Sequence, residues 1–167
     1  MINIIGDGEH SHVVKEALQA GNDGCHVAFV GKPGTTHRKK FIQELKEKAT
    51  TIIHPTAYVS PSADIGYGCF IGAHAVIQAY ATLNDHCVIN TGAIVEHDCT
   101  LGMGVHMAPR AVIGGGVLIG SWTTVGLGAC IRDHITIGSD VIIGMGAVVV
   151  KDVPDSVTVM GVPARIV

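Results

Sequence analysis

The chain has 167 residues, 47% hydrophobic and 15% charged, enough for one main core with a small accessory unit and too apolar for a disordered chain. A net charge of −3 with no basic run excludes nucleic acid as the main partner, and no uninterrupted apolar span is long enough to cross a bilayer. Met1-Ile2-Asn3 lacks the basic start of a secretory signal, so the cytoplasm is the expected compartment.

Ile2 to Ile5 is a short apolar run that stops at Gly6-Asp7-Gly8-Glu9-His10. Val13, Val14, Ala17 and Leu18 then recur at helical spacing until Gly21, which reads as strand, tight turn, helix and glycine stop. A second run, Val27 to Val30, ends at Gly31-Lys32-Pro33-Gly34, after which Thr35 or Thr36 can cap a helix carrying Phe41, Ile42 and Leu45 on one face. Residues 1–51 are therefore expected to form a minimal β-α-β-α unit. A glycine turn between strand and helix can hold a phosphate through backbone N–H groups and the helix dipole. Asp7 and Glu9 put negative charge at that place, which suits a self-capped turn equally well.

From Ile53 onward the chain repeats every six residues, and the register is expected to run unbroken to Pro154. Every sixth residue from Ile53 through Ile77, Leu101 and Val125 to Val149 is aliphatic. Four places after each stands a small or β-branched residue, from Ala57 through Ala93, Cys99 and Ala129 to Val153. A period of six is too short for a helix pair, and no i, i+3, i+4, i+7 stripe is present. The pattern predicts a parallel β-helix over residues 52–167, with aliphatics inside and small residues at its corners. Glycine follows the aliphatic at Gly66, Gly72, Gly102, Gly114, Gly120, Gly126, Gly138 and Gly144, for a positive φ or a close backbone approach. Three of the five cysteines, Cys69, Cys87 and Cys99, fall in the small-residue column as buried thiols. With no CxxC pair, neither a disulfide framework nor a zinc cluster is expected.

Within the repeat, Glu96-His97-Asp98 is the most chemically loaded stretch, an imidazole between two carboxylates. If three hexads make one coil, residues eighteen apart stack about 4.8 Å apart. The column through His97 then reads Pro61, Ala79, His97, Gly115, Asp133, Lys151, and a second aligns Pro109, Leu127 and Met145.

Ile53-His54-Pro55-Thr56-Ala57, Val95-Glu96-His97-Asp98-Cys99, His106-Met107-Ala108-Pro109 and Gly161-Val162-Pro163-Ala164-Arg165 together resemble the NeuD/PglD family of bacterial sugar acetyltransferases, over essentially the whole chain. The resemblance implies a left-handed parallel β-helix with eighteen residues per coil, preceded by a small Rossmann-like substrate domain, and assembled as a homotrimer with sites between subunits. Handedness comes only from it, since right-handed crossovers are the general rule. It implies that His97 is the general base and that Asp98 raises its basicity. His106, Gly115, Leu127, Met145 and Arg165 are implied to line the acetyl-CoA site, and Gly8, Glu9 and His10 to meet the sugar. Glu9 stands where the family has a glycine, Arg110 replaces a common glycine, and the acidic pair that follows the second strand in nucleotide-sugar members has no counterpart, so the N-terminal domain is truncated.

The expected function is acetyl-CoA-dependent acetylation of a sugar, N-acetylation of a nucleotide-linked 4-amino-4,6-dideoxy sugar first and O-acetylation of sialic acid or a related sugar second, with no metal. A γ-carbonic anhydrase would share the β-helix but needs three interfacial histidines on zinc, closer together than His97 and His106. A non-catalytic β-helix scaffold is the third class. His97 and His106, half a coil apart, belong on different sides of one prism, which motivates a site shared between subunits.

Overall fold

The computed structural model describes residues 50–167 together with Ile4–Ile5, Val27–Ala28, Lys39 and Ile42. Each hexad is a two-residue strand, a link, a two-residue turn and a small corner residue. The strands pair in parallel with those eighteen residues away, as Ile52↔Phe70, Ile94↔Val112 and His106↔Thr124. Three sheets result, here the three faces of a prism. The first runs from Ile52–Ile53 through His106–Met107 to Ile142–Ile143 and beyond, the second from Tyr58–Val59 to Val148–Val149, and the third from Asp64–Ile65 to Thr136–Ile137. The architecture is a left-handed parallel β-helix.

Strand side chains alternate, so the aliphatic of each pair points inward and its predecessor outward. Ile77, Leu101, Ile113 and Val125 are fully buried, and so are Ala93, Cys99 and Ala129 at the corners. At most corners the small residue's N–H donates to the carbonyl of the residue after the aliphatic, as from Ala93 to Asn90 at 3.0 Å. From Gly68 to Gly146 the second turn residue of each hexad takes positive φ, as a type II turn requires. Nine non-glycine residues among those described have positive φ, including Asp98 at 59° and His134 at 54°. Positive φ therefore falls two places beyond the glycines that follow the aliphatics, and those glycines serve close approach instead. A Cβ on Gly114 would come within 2.6 Å of the Asp133 nitrogen on the next coil.

The register of eighteen ends at Val149, which corrects the expectation that it runs to Pro154. Val153, expected in the small-residue column, pairs instead with Ile137, and Thr158 pairs with Ile142, both sixteen residues apart. On the shorter coil, Asp152 and Asp155 accept from the N–H groups of Thr136 and Ser139 at 2.8 and 2.7 Å.

Before the prism, Ile4–Ile5 pairs in parallel with Val27–Ala28. Lys39 and the buried Ile42 are helical. The Lys39 ammonium donates to the Asp140 carboxylate at 3.0 and 3.3 Å and lies 5.4 Å over the Trp122 ring, at the corner between third and first faces. Phe41 and Leu45 lie outside the described residues. No helix among the described residues is long and apolar enough to cross a membrane.

Candidate active site

His97 stands at the corner between the second and third faces, after the strand Ile94–Val95 and before Thr100–Leu101. The backbone holds the column vertical: the Asp98 N–H donates to the Ala79 carbonyl at 3.0 Å and the Gly116 N–H to the His97 carbonyl at 2.9 Å. Asp98 occupies the left-handed position of its turn, which aspartate tolerates better than most residues. Its Oδ2 lies 2.7 Å from His97 Nδ1. A carboxylate only accepts, so Nδ1 carries the proton and the Nε2 lone pair is left for chemistry. Both side chains are more than half exposed on the single chain, at 58% and 62%.

Gly115 lies against the imidazole. An added Cβ would come 2.6 Å from His97 Cε1 and 2.7 Å from Nε2, so only glycine leaves the ring its place. Among the described residues, nothing accepts the Gly115 N–H, which is thus available as a hydrogen-bond donor beside His97 Nε2. Cys99 next door points inward and is fully buried; its thiol donates to the Gly114 carbonyl at 3.1 Å, and burial pushes the thiol above its ordinary pKa. It is a corner-filling residue and a poor nucleophile.

The other candidates lie elsewhere on the same chain. His106, on the outer side of the first face, is 6% exposed. Leu127 and Met145 stack at the corner that follows this face, the Gly146 N–H donating to the Leu127 carbonyl at 2.8 Å, and they are 54% and 77% exposed. Arg165 sits at the C-terminal end, where its strand pairs with Thr158–Met160 and its guanidinium donates to the Ala164 carbonyl at 2.8 Å. It borders an open cleft of about 360 Å3 shared with Lys151 and Asp152. One chain thus brings His97, Asp98 and Gly115 together, gathers His106, Leu127 and Met145 at another side, and joins the two sets nowhere. Gly8, Glu9 and His10 lie outside the described residues. Among the described residues no cluster of three histidine, cysteine or acidic side chains is assembled that would hold a metal ion.

One further imidazole stands at the same corner. His134 lies on the coil beyond Gly116, with its ring against that glycine. The eighteen-residue rule applied to Asp98, giving Asp98, Gly116 and His134, was the signal that would have found it.

No family model matches the sequence. Solved structures do. PerB from Caulobacter crescentus, in complex with CoA and GDP-perosamine, is 36% identical with a TM-score of 0.91, over 99% of this chain and 96% of that one. A variant of GDP-perosamine N-acetyltransferase from the same organism, with the same two ligands, is 34% identical with a TM-score of 0.92 over the same shares. The acetyltransferase domain of PglB from Neisseria gonorrhoeae FA1090, in complex with acetyl coenzyme A, is 34% identical with a TM-score of 0.91, over 99% of this chain and 98% of that one.

Proposed function

The chain belongs to the NeuD/PglD-type sugar acetyltransferases and is an acyltransferase with acetyl-CoA as donor, and from that premise we propose that it N-acetylates a nucleotide-linked 4-amino-4,6-dideoxy sugar with His97 as general base. The observation that carries this reading is the imidazole tied by Asp98 at 2.7 Å and seated against Gly115, where no side chain intervenes. The sugar amine attacks the thioester carbonyl; the N–C bond forms, the amine proton passes to His97 Nε2, and the C–S bond breaks to release the CoA thiolate, which recovers a proton. A positioned base contributes roughly 10²- to 10⁴-fold. Asp98 orients the ring and stabilises its protonated form, and the Gly115 N–H supports the negative charge that develops on the carbonyl oxygen.

His106, Leu127, Met145 and Arg165 are proposed to bind the donor, the two exposed apolar side chains flanking its pantetheine arm. Because His97 and His106 face different sides of one prism, the working site joins the His97 corner of one subunit to the His106 face of its neighbour in a homotrimer. Residues 1–51 form the acceptor domain, with Gly8, Glu9 and His10 at the sugar, and residues 52–167 the donor domain; the reaction takes place in the cytoplasm.

The test is CoA release from acetyl-CoA with GDP-perosamine, the sugar nucleotide bound by PerB, beside other nucleotide-linked amino sugars and free sialic acids. The expected result is amide formation on an amino sugar, reduced at least a hundredfold by His97→Ala in a protein of unchanged mass in solution. Turnover of sialic acids alone would overturn N-acetylation, and full activity of His97→Ala would overturn the base.

A further inference from the structure

Outward side chains give the three faces of the prism different surfaces. On the first face Ile52, Phe70 and Val88 point outward, yet within the single chain they are already 2% exposed or less. The third face presents Asp64, Thr82, Thr100, Leu118 and Thr136, polar but for one leucine. The second presents Tyr58, Val76, Ile94, Val112, Cys130 and Val148, one to each coil, none charged, and none buried in the single chain. Stacked at the strand spacing, they form a stripe roughly 24 Å long. A lone chain in water rarely exposes so continuous an apolar surface. The polar residues of this face, Gln78, Glu96 and Arg132, stand at its edge beside the His97 corner, where the rim of an interface would lie.

The two edges of the second face indicate what covers it. The corner before it carries Leu127 and Met145, and the corner after it carries His97 and Gly115. These are the two sets that a single chain keeps apart. We propose that copies of this chain associate through the second face. The inference rests on the reading of a site shared between subunits and names the surface that forms it. In a ring of copies that turn this face inward, the His97 edge of each lies beside the Leu127 edge of the next. The first face, with His106, then looks into the groove between them. Association through the first or third face would instead set one of these corners against the corner that carries Trp122.

The test places an arginine on the stripe, Val112→Arg, and another on the third face, Thr82→Arg, and measures mass in solution and circular dichroism. Both side chains point outward, so each chain is expected to keep its β-helix. Val112→Arg should have the mass of one chain and release no CoA, while Thr82→Arg keeps the wild-type mass. A Val112→Arg protein that assembles as wild type does, or a Thr82→Arg protein that falls apart, overturns the proposal. Peptide-resolved labelling with N-ethylmaleimide decides independently of any variant's folding, because Cys130 lies on the stripe and is exposed in the single chain. In assembled wild type Cys130 should stay unlabelled until the protein is denatured. Ready labelling of the assembled protein sinks the choice of face and leaves the shared site standing, whereas a wild type with the mass of one chain brings down both.

Discussion

A single missing atom leaves the His97 ring its place. The Cβ of any other residue at position 115 would overlap the imidazole, and the ring would have to leave the place where Asp98 holds it. Gly115→Ala should therefore lower kcat/KM about a hundredfold, the effect of misplacing a reacting group by an ångström. Its thermal midpoint should move little, because the ring is exposed and free to turn outward; a large fall in the midpoint with activity kept would refute this account. The proximity of His97 and Gly115 was legible in the sequence once eighteen residues were taken as one coil. The pairing of His97 with Asp98 was implied by the family resemblance, while the left-handed backbone from which Asp98 makes it is announced by no neighbouring residue.

At the scale of the hexad, the corner residues do more than fill space. Thr51, Cys69, Cys87, Cys99 and Thr123 each donate to a carbonyl fifteen residues ahead, those of Gly66, Asn84, Gly102, Gly114 and Gly138. Two of these corners are bridged by a hydroxyl. The Thr123 Oγ1 donates to Gly138 at 2.7 Å and accepts from the Val141 N–H at 3.1 Å; Thr51 Oγ1 does the same between Gly66 and Cys69. Thr123→Val keeps the shape and leaves a buried carbonyl and N–H without partners, which costs about 1–3 kcal/mol. A lower urea midpoint at unchanged m-value is expected, and an unmoved midpoint would mean that the backbone closes the turn itself. The sequence presents these positions as small residues only. Their common donor role depends on which carbonyl the next coil brings into reach, and that is set by stacking.

Across the whole molecule, the candidate residues fall into two sets that one prism keeps apart. A site built between subunits predicts complementation: mixing His97→Ala and His106→Ala chains, each nearly inactive alone, should restore part of the activity after unfolding and reassembly together. In a mixed trimer, one junction joins an intact His97 to an intact His106. If the mixture stays as inactive as its parts, the site does not span chains. At the other end of the molecule, the two-residue shortening after Val149 shows how far a repeat can be extrapolated. Val153 looks like another corner residue until Asp152 and Asp155 are seen taking the hydrogen bonds of the coil beneath.

By itself, the sequence determined the parallel β-helix, its period of six and the inward aliphatics, because a solenoid repeats one local geometry and side-chain alternation does the rest; the column that stacks Gly115 on His97 followed once the resemblance implied eighteen residues per coil. Only the tertiary structure decided where positive φ falls, where the register breaks, and that the His134 ring lies against Gly116. Those outcomes depend on contacts between successive coils, where the space and hydrogen bonds at one residue are set by another residue at a coil's distance along the chain.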